Sequence, residues 1–293
     1  MYIGRFAPSP TGPLHFGSLV AAVASYVDAR AAHGQWLLRI EDVDTTRCSR
    51  AAETEILRQL AAYGFVADGE VVRQSTRGEI YEVAIAQLAD AGHVFACICS
   101  RKTLETAPRN TDGEAIYPGT CRDAHVVTSA HSLRLRVKDD SDSTVRFTDR
   151  ACGAITQNVA MEVGDFVLRR VDGCYTYQLA VVVDDALQGV TDVVRGEDLL
   201  MNTPRQIYLQ RRLNIATPTH LHVPLVRNAD GEKLSKQTLA QAVNVDAPMA
   251  TLLAAWTFLK QPDMGQVESV DAFWNAAIAR WNPQVLQRQI RSS

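Results

Sequence analysis

Apolar positions first gather at residues 2–7, a short run carrying Arg5, and then meet Pro8-Ser9-Pro10-Thr11-Gly12-Pro13, which can neither extend a strand nor open a helix early. A strand followed by a turn is predicted. From Ser18 the spacing becomes helical, with Leu19, Val20, Val23, Tyr26 and Val27 on one stripe and Gly34 placed to cap the end. Residues 36–40 read as a second strand, and residues 51–63 and 78–91 as amphipathic helices with glycines after them. Apolar, unalternating strands interleaved with helices predict an α/β fold with a parallel sheet covered on both faces.

The middle of the chain changes period. Residues 94–99 are strand-like, residues 101–117 are polar and loop-rich, and residues 132–137 alternate with Leu133, Leu135 and Val137 on one face. Residues 166–170 and 175–183 flank Val171-Asp172-Gly173 and read as two strands of a hairpin. Residues 192–194 and 222–226 are returning strands, with a helix over 203–213 between them. From Pro248 the pattern is helical, with Leu252, Leu253, Trp256 and Leu259, then Phe273, Ile278 and Trp281, broken by Pro262 and Pro283. The expected organisation is an α/β domain in two halves, 1–92 and 186–246, an inserted α+β subdomain over 93–185, and a helical region over 247–293.

Composition narrows the class. The chain has 293 residues, 46% apolar and 22% charged, which fits a folded globular protein and excludes disordered and fibrous classes. No uncharged apolar run reaches spanning length and the first residues lack a signal-peptide pattern, so a cytoplasmic protein without a membrane role is expected. A net charge of -3 announces no nucleic-acid partner, so any such partner must be met by local basic groups; Arg205, Arg211, Arg212, Arg280, Arg288 and Arg291 are the candidates. Cys97, Cys99 and Cys121 crowd together while Cys48, Cys152 and Cys174 are scattered, a pattern for metal in a reducing compartment. On generic grounds His125 would be the fourth zinc ligand.

The first loop has its own physics. A strand ending in a Pro/Gly turn before His15-Phe16-Gly17-Ser18 at a helix N-terminus presents free backbone N–H groups and a positive dipole end, an anion site. Far downstream, Lys233-Leu234-Ser235-Lys236-Gln237 follows a strand and the turn Asn228-Ala229-Asp230-Gly231. The pair resembles the HIGH and KMSKS signatures of class I aminoacyl-tRNA synthetases. Arg5 to Gly12, Arg39-Ile40-Glu41-Asp42 with Asp44, and Val194-Arg195-Gly196-Glu197-Asp198 make the resemblance specific to the glutamyl branch, and it covers nearly the whole chain.

The resemblance implies a Rossmann-type nucleotide domain and activation of glutamate by ATP. The substrate α-carboxylate attacks the α-phosphorus, pyrophosphate leaves, and an acyl-adenylate awaits transfer to a hydroxyl, chemistry that depends on positioning and charge neutralisation. His15, Gly17 and Ser18 would hold the phosphates, Lys236 and Lys233 would neutralise them, and Mg²⁺ would arrive with ATP. Arg5 and Arg195 would each clamp a carboxylate of L-glutamate bidentately, Glu41 would accept from its ammonium, and Ser9 and Tyr177 would add neutral hydrogen bonds, with Phe6, Ala7 and Pro8 forming the connecting loop. By resemblance Tyr117, not a histidine, would complete one structural Zn²⁺ site with Cys97, Cys99 and Cys121. With Ser293 the last residue, soon after Lys236, no anticodon-reading domain is expected, and the resemblance is then to the short paralogues of the branch. These implied partners are ATP, L-glutamate and tRNA(Asp) bearing queuosine, with glutamate activated without tRNA by a monomer. Two alternatives stay open: charging of a tRNA 3′ end by a catalytic half, and a non-catalytic paralogue that only binds nucleotide or tRNA.

Overall fold

The computed structural model describes residues 1–100, 102–110, 113–124, 130–227 and 241–287. The first parallel sheet holds β1 (Ile3–Phe6), β2 (Gln35–Ile40) and β3 (Val72–Arg73), with β1 beside β2 in the register Arg5 to Leu37 and Phe6 to Leu38. A second sheet has the order β7-β6-β10-β9, in which β9 (Asp192–Gly196) and β10 (Thr219–Val223) are parallel and His222 pairs with Arg195. The edge pair β6 (Thr144–Asp149) and β7 (Gly153–Asn158) is antiparallel, and β6 joins β10 at the single register point Asp149 to His220. So one strand of the 93–185 stretch, β6, pairs with a strand that follows it, and β7 enters the same sheet through β6. The two sheets meet where the Thr191 amide, just before β9, donates to the Ile3 carbonyl at 2.9 Å. A separate antiparallel sheet combines β4 (Val94–Cys97), β5 (Ser132–Leu135) and β8 (Val167–Arg169).

Helix α1 (Phe16–Ala31) is buried along most of its length, so its apolar stripe continues around the helix instead of stopping at one face. It is covered by α7 (Pro248–Phe258) and α8 (Val270–Arg280), with Trp36, Phe65 and Trp274 packed around Tyr26. Helix α2 (Arg50–Ala62) closes the edge of this core through Ile56 and Leu60. A second core lies among α3 (Gly78–Asp90), the one-turn α4 (Val159–Glu162), α5 (Tyr177–Leu187) and α6 (Thr203–Leu213). No helix among the described residues is long and apolar enough to cross a membrane.

Four expectations are corrected. Residues 175–183 are not a strand: the turn at Gly173 returns the chain, but only Tyr175 bridges back to Arg169 before α5 begins at Tyr177. Its β-branched valines suggested a strand, but the helix is buried from Leu179 to Asp185, and full burial erases the amphipathic period. The last β strand runs over Thr219–Val223, ending before Pro224, which lacks the N–H a ladder needs, and not over 222–226. The strand at 94–99 stops at Cys97. At the end of α1, His33 takes the left-handed conformation (φ 53°), while Gly34 is needed for room, since a Cβ there would sit 2.5 Å from the Tyr2 carbonyl oxygen.

Candidate active site

The C-terminal ends of β1, β2, β9 and β10 border one cavity of about 370 Å³, the position where open α/β sheets bind ligands. Its walls bring together Arg5, Phe6, Ala7, Pro8, Ser9, His15, Gly17, Ser18, Glu41, Tyr177 and Arg195, all expected from the sequence. Lys233 and Lys236 lie outside the described residues. The described chain on either side borders the cavity: Val226 lines it, Ala242 bridges to His15, and the Val243 amide donates to the Leu14 carbonyl at 2.9 Å.

The anion end is built by α1. His15 is its N-cap, and its Nδ1 accepts from the Ser18 amide at 3.2 Å. Such a cap leaves the neighbouring first-turn amides pointing outward with the helix dipole behind them. A Cβ on Gly17 would lie 3.2 Å from the His15 ring, so glycine lets the ring fold over the helix start. The backbone that links this end to the arginine is fixed as well, because the Glu41 amide donates to the Pro8 carbonyl at 3.0 Å.

The other end is a buried charge cluster. Arg39, fully buried, donates from Nη2 to Asp185 at 2.7 Å and to Glu41 at 3.3 Å, and from Nη1 to Gln188 at 2.8 Å. Arg5 donates from Nε to Asp185 Oδ1 at 3.2 Å, and its two Nη groups make no hydrogen bond with described residues, which leaves the bidentate edge for a ligand. Burial pushes the Asp185 carboxyl up, but the Arg39 and Arg5 guanidiniums outweigh it and hold the group below its ordinary value. Glu41 goes the other way: burial raises it and the same two arginines only partly offset that. Glu41 therefore has the weaker hold on its charge and gains most from a cationic ligand.

Arg195 departs from the expected clamp. Its Nε donates to His222 Nε2 at 3.1 Å, and its Nη2 donates to Thr203 Oγ1 at 2.8 Å, Gln206 Oε1 at 2.9 Å and the Leu199 carbonyl at 3.3 Å. Only the Nη1 edge, shared with the Tyr177 hydroxyl at 3.1 Å, is left toward the cavity. Tyr177 opens α5, and burial raises its phenol. Arg39, Asp185, His222 and Asp149 were not found from the sequence. Arg39 stands in the Arg39-Ile40-Glu41-Asp42 motif, which is a signal in the sequence; the two acids and the histidine carry no local spacing cue.

A second cluster lies at the end of β4. The Sγ atoms of Cys97, Cys99 and Cys121 all lie within 4.8 Å of one another. Cys99 and Cys121 Sγ are 3.6 Å apart, and the Tyr117 hydroxyl is 3.4 Å from Cys97 Sγ and 3.6 Å from Cys99 Sγ. Tetrahedral zinc with its usual bond lengths puts ligand sulfurs about 3.8 Å apart and sulfur to oxygen about 3.5 Å apart, and the Cys99–Cys121, Tyr117–Cys97 and Tyr117–Cys99 spacings lie close to those values. Burial raises the Cys97 thiol, but contacts with Tyr117, the Cys99 backbone and Arg134 bring it down to about 7. His125 lies outside the described residues.

The basic candidates separate. Arg205 is buried and donates to Glu114, so it is withdrawn from the surface, contrary to expectation, because α6 packs that face into the protein. Arg211 and Arg212 both reach Asp142. Arg280 is exposed, and Arg288 and Arg291 lie outside the described residues.

Residues 3–260 match the family described as tRNA synthetases class I (E and Q), catalytic domain. The chain is 55% identical over 266 residues to a glutamyl-Q tRNA(Asp) synthetase of Thiobacillus denitrificans, covering 90% of this chain and 87% of that one. To the protein of the same name in Janthinobacterium sp. it is 52% identical, covering 96% of each. Among solved structures, a glutamate tRNA ligase of Elizabethkingia meningosepticum in complex with its amino acid superposes with a TM-score of 0.77 at 23% identity, over 96% of this chain and 65% of that chain. The glutamate-tRNA synthetase of Elizabethkingia anophelis gives 0.76 at 23%, over 96% of this chain and 66% of that chain. The chain thus spans just under two thirds of the length of both solved structures, and the likeness to them is one of fold.

Proposed function

The chain belongs to the class I tRNA synthetases of the glutamate and glutamine type, and we propose that it activates L-glutamate with ATP and transfers the glutamyl group to the queuosine base in the anticodon of tRNA(Asp). The relatives that share half or more of its residues over nearly their whole length carry that specificity in their names. One observation carries the reading at the level of chemistry: a single cavity joins a helix N-terminus capped by His15 to a buried cluster with one open guanidinium edge and one weakly held carboxylate. An amino acid with two carboxylates, one ammonium and a triphosphate partner uses all three features.

The roles follow from the groups at each end. His15 and the amides at Gly17 and Ser18 take the ATP phosphates, and Lys236 with Lys233 neutralises the charge that develops as pyrophosphate leaves. Mg²⁺ accompanies the nucleotide. Arg5 meets a glutamate carboxylate through its two Nη groups, Arg195 contributes its Nη1 edge beside Tyr177, and Glu41 accepts from the ammonium. Ser9 and the backbone from Phe6 to Pro8 shape the wall between them. The glutamate α-carboxylate displaces pyrophosphate from the α-phosphorus, and the acyl group of the adenylate then passes to a cyclopentenediol hydroxyl, with AMP leaving. Cys97, Cys99 and Cys121, with Tyr117 as the fourth donor, would hold a Zn²⁺ that serves structure, not reaction. The protein works in the cytoplasm as a monomer. Glutamate-dependent exchange of labelled pyrophosphate into ATP, measured without tRNA, tests the first half-reaction; exchange is expected, and its absence with folded, zinc-loaded protein contradicts the proposal.

A further inference from the structure

Behind Arg195 lies a hydrogen-bonded pair, His222 and Asp149, to which the proposed reaction gives no role. His222 Nδ1 is 2.7 Å from Asp149 Oδ2, and His222 Nε2 is 3.1 Å from Arg195 Nε. All three side chains are buried, His222 fully so. A guanidinium has no acceptor, so Nε2 must be the bare nitrogen and the imidazole proton must sit on Nδ1, facing the carboxylate. Asp149 is held in turn by the amides of Ala151 and Cys152, both 2.9 Å from Oδ1, and by the His222 amide. These bonds leave the carboxylate no freedom to turn. We infer that Asp149 and His222 are positioning residues for Arg195: Asp149 sets the His222 tautomer, and the bare Nε2 orients the guanidinium so that its Nη1 edge, with Tyr177, faces the cavity.

The remaining contacts of Arg195 fit this division. Nη2 is engaged by Thr203, Gln206 and the Leu199 carbonyl, which hold the far side of the group, while Nε sets its rotation about the side-chain axis. If the proton moved to Nε2, two donors would face each other and the guanidinium would have to swing away. Such a change is available by a substitution of equal shape. In Asp149→Asn the amide oxygen can stay on the Ala151 and Cys152 amides, which places the NH₂ against His222 Nδ1 and forces the opposite tautomer. The consequence for substrate rests on the reading of this cavity as a glutamate site, but the tautomer itself does not.

The test uses the full-length, zinc-loaded protein. With ¹⁵N-labelled histidine, long-range ¹H–¹⁵N spectra of the wild type should show His222, assigned by its loss in His222→Leu, with a protonated Nδ1 and a bare Nε2. In Asp149→Asn the two signals should exchange character, and the KM for glutamate in pyrophosphate exchange should rise about tenfold or more while the KM for ATP holds, the loss of one hydrogen bond to a charged group. If Asp149→Asn fails to fold, His222→Leu should show the same split between the two KM values. A wild-type His222 protonated on Nε2 overturns the inference, as does a folded variant with unchanged glutamate KM. Wild-type protein without any exchange defeats the functional reading instead, while the spectrum still decides the tautomer.

Discussion

Replacing Asp185 by Asn removes one charge from the cluster that holds Arg5 and changes almost nothing in shape. Arg5, Arg39, Glu41 and Asp185 are 3%, 0%, 7% and 6% exposed, so the balance of two guanidiniums and two carboxylates is struck almost without water. Asp185 Oδ1 lies 2.7 Å from Arg39 Nη2 and 3.2 Å from Arg5 Nε. The asparagine oxygen can still accept from both, so the loss is the charge. At an effective dielectric near 20 each such contact is worth about 4 kcal/mol of attraction, and breaking a buried pair by neutralising one partner typically costs about 3–5 kcal/mol. Denaturant unfolding followed by Trp fluorescence and circular dichroism should therefore show a loss of that size. Glu55→Gln, which breaks the solvated pair with Arg58 on α2, should leave the curve almost unmoved. The folded-state value of the Asp185 carboxyl is depressed, so its stabilising contribution is complete above its ordinary value and is lost as pH falls through the folded value. The gap between wild type and variant should thus close at acid pH. A loss at neutral pH below about 1 kcal/mol, the worth of a surface pair, would refute the view that Arg5 is held by a desolvated charge balance.

Other outcomes follow from the same geometry. Lys236→Ala should mainly lower the rate of activation, whereas Arg195→Ala should mainly raise the KM for glutamate; steady-state exchange kinetics with matching profiles for the two would contradict the assigned roles. Because Glu41 is raised by burial, the glutamate KM should increase as pH falls through its folded-state value, when the neutral acid no longer balances the ammonium; a flat profile across the acid range in which the protein stays folded would count against Glu41 as that partner. Metal analysis of protein purified without chelator should find one zinc per chain. Cys99→Ser should release it with a drop in thermal stability, and a zinc-free, equally stable wild type would remove the assignment of Cys97, Cys99, Tyr117 and Cys121.

The anion end of the site was legible because its chemistry is local. A proline turn, a histidine and a glycine at a helix start are neighbours in sequence and in space, and α1 begins at Phe16 with His15 as its cap. The parallel sheet was legible too, since β1 and β2 are short apolar runs flanked by helices. The charge cluster was only half visible. Arg5 and Glu41 stand beside turn residues, but Asp185, which orients Arg5, follows closely on a run of valines that reads as a strand and folds with it as the buried helix α5. Neither the helix nor the acid could be seen from periodicity, because a helix buried on all sides shows no polar face. His222 and Asp149 stayed hidden for a related reason: their partnership joins β10 to the end of β6, and no sequence spacing marks a contact made by strand pairing. Arg205 misled in the opposite direction, because its pairing with Glu114 and its burial in α6 depend wholly on tertiary packing.

The central claim is that glutamate activated in this cavity goes to the anticodon of tRNA(Asp). Incubating the protein with ATP, labelled glutamate and queuosine-containing tRNA(Asp), then digesting the tRNA with nuclease and analysing the fragments by mass, tests it most directly. The expected product is a glutamyl-queuosine nucleoside, with no label on the terminal adenosine. Label recovered on the 3′ adenosine, with queuosine unmodified, would contradict it.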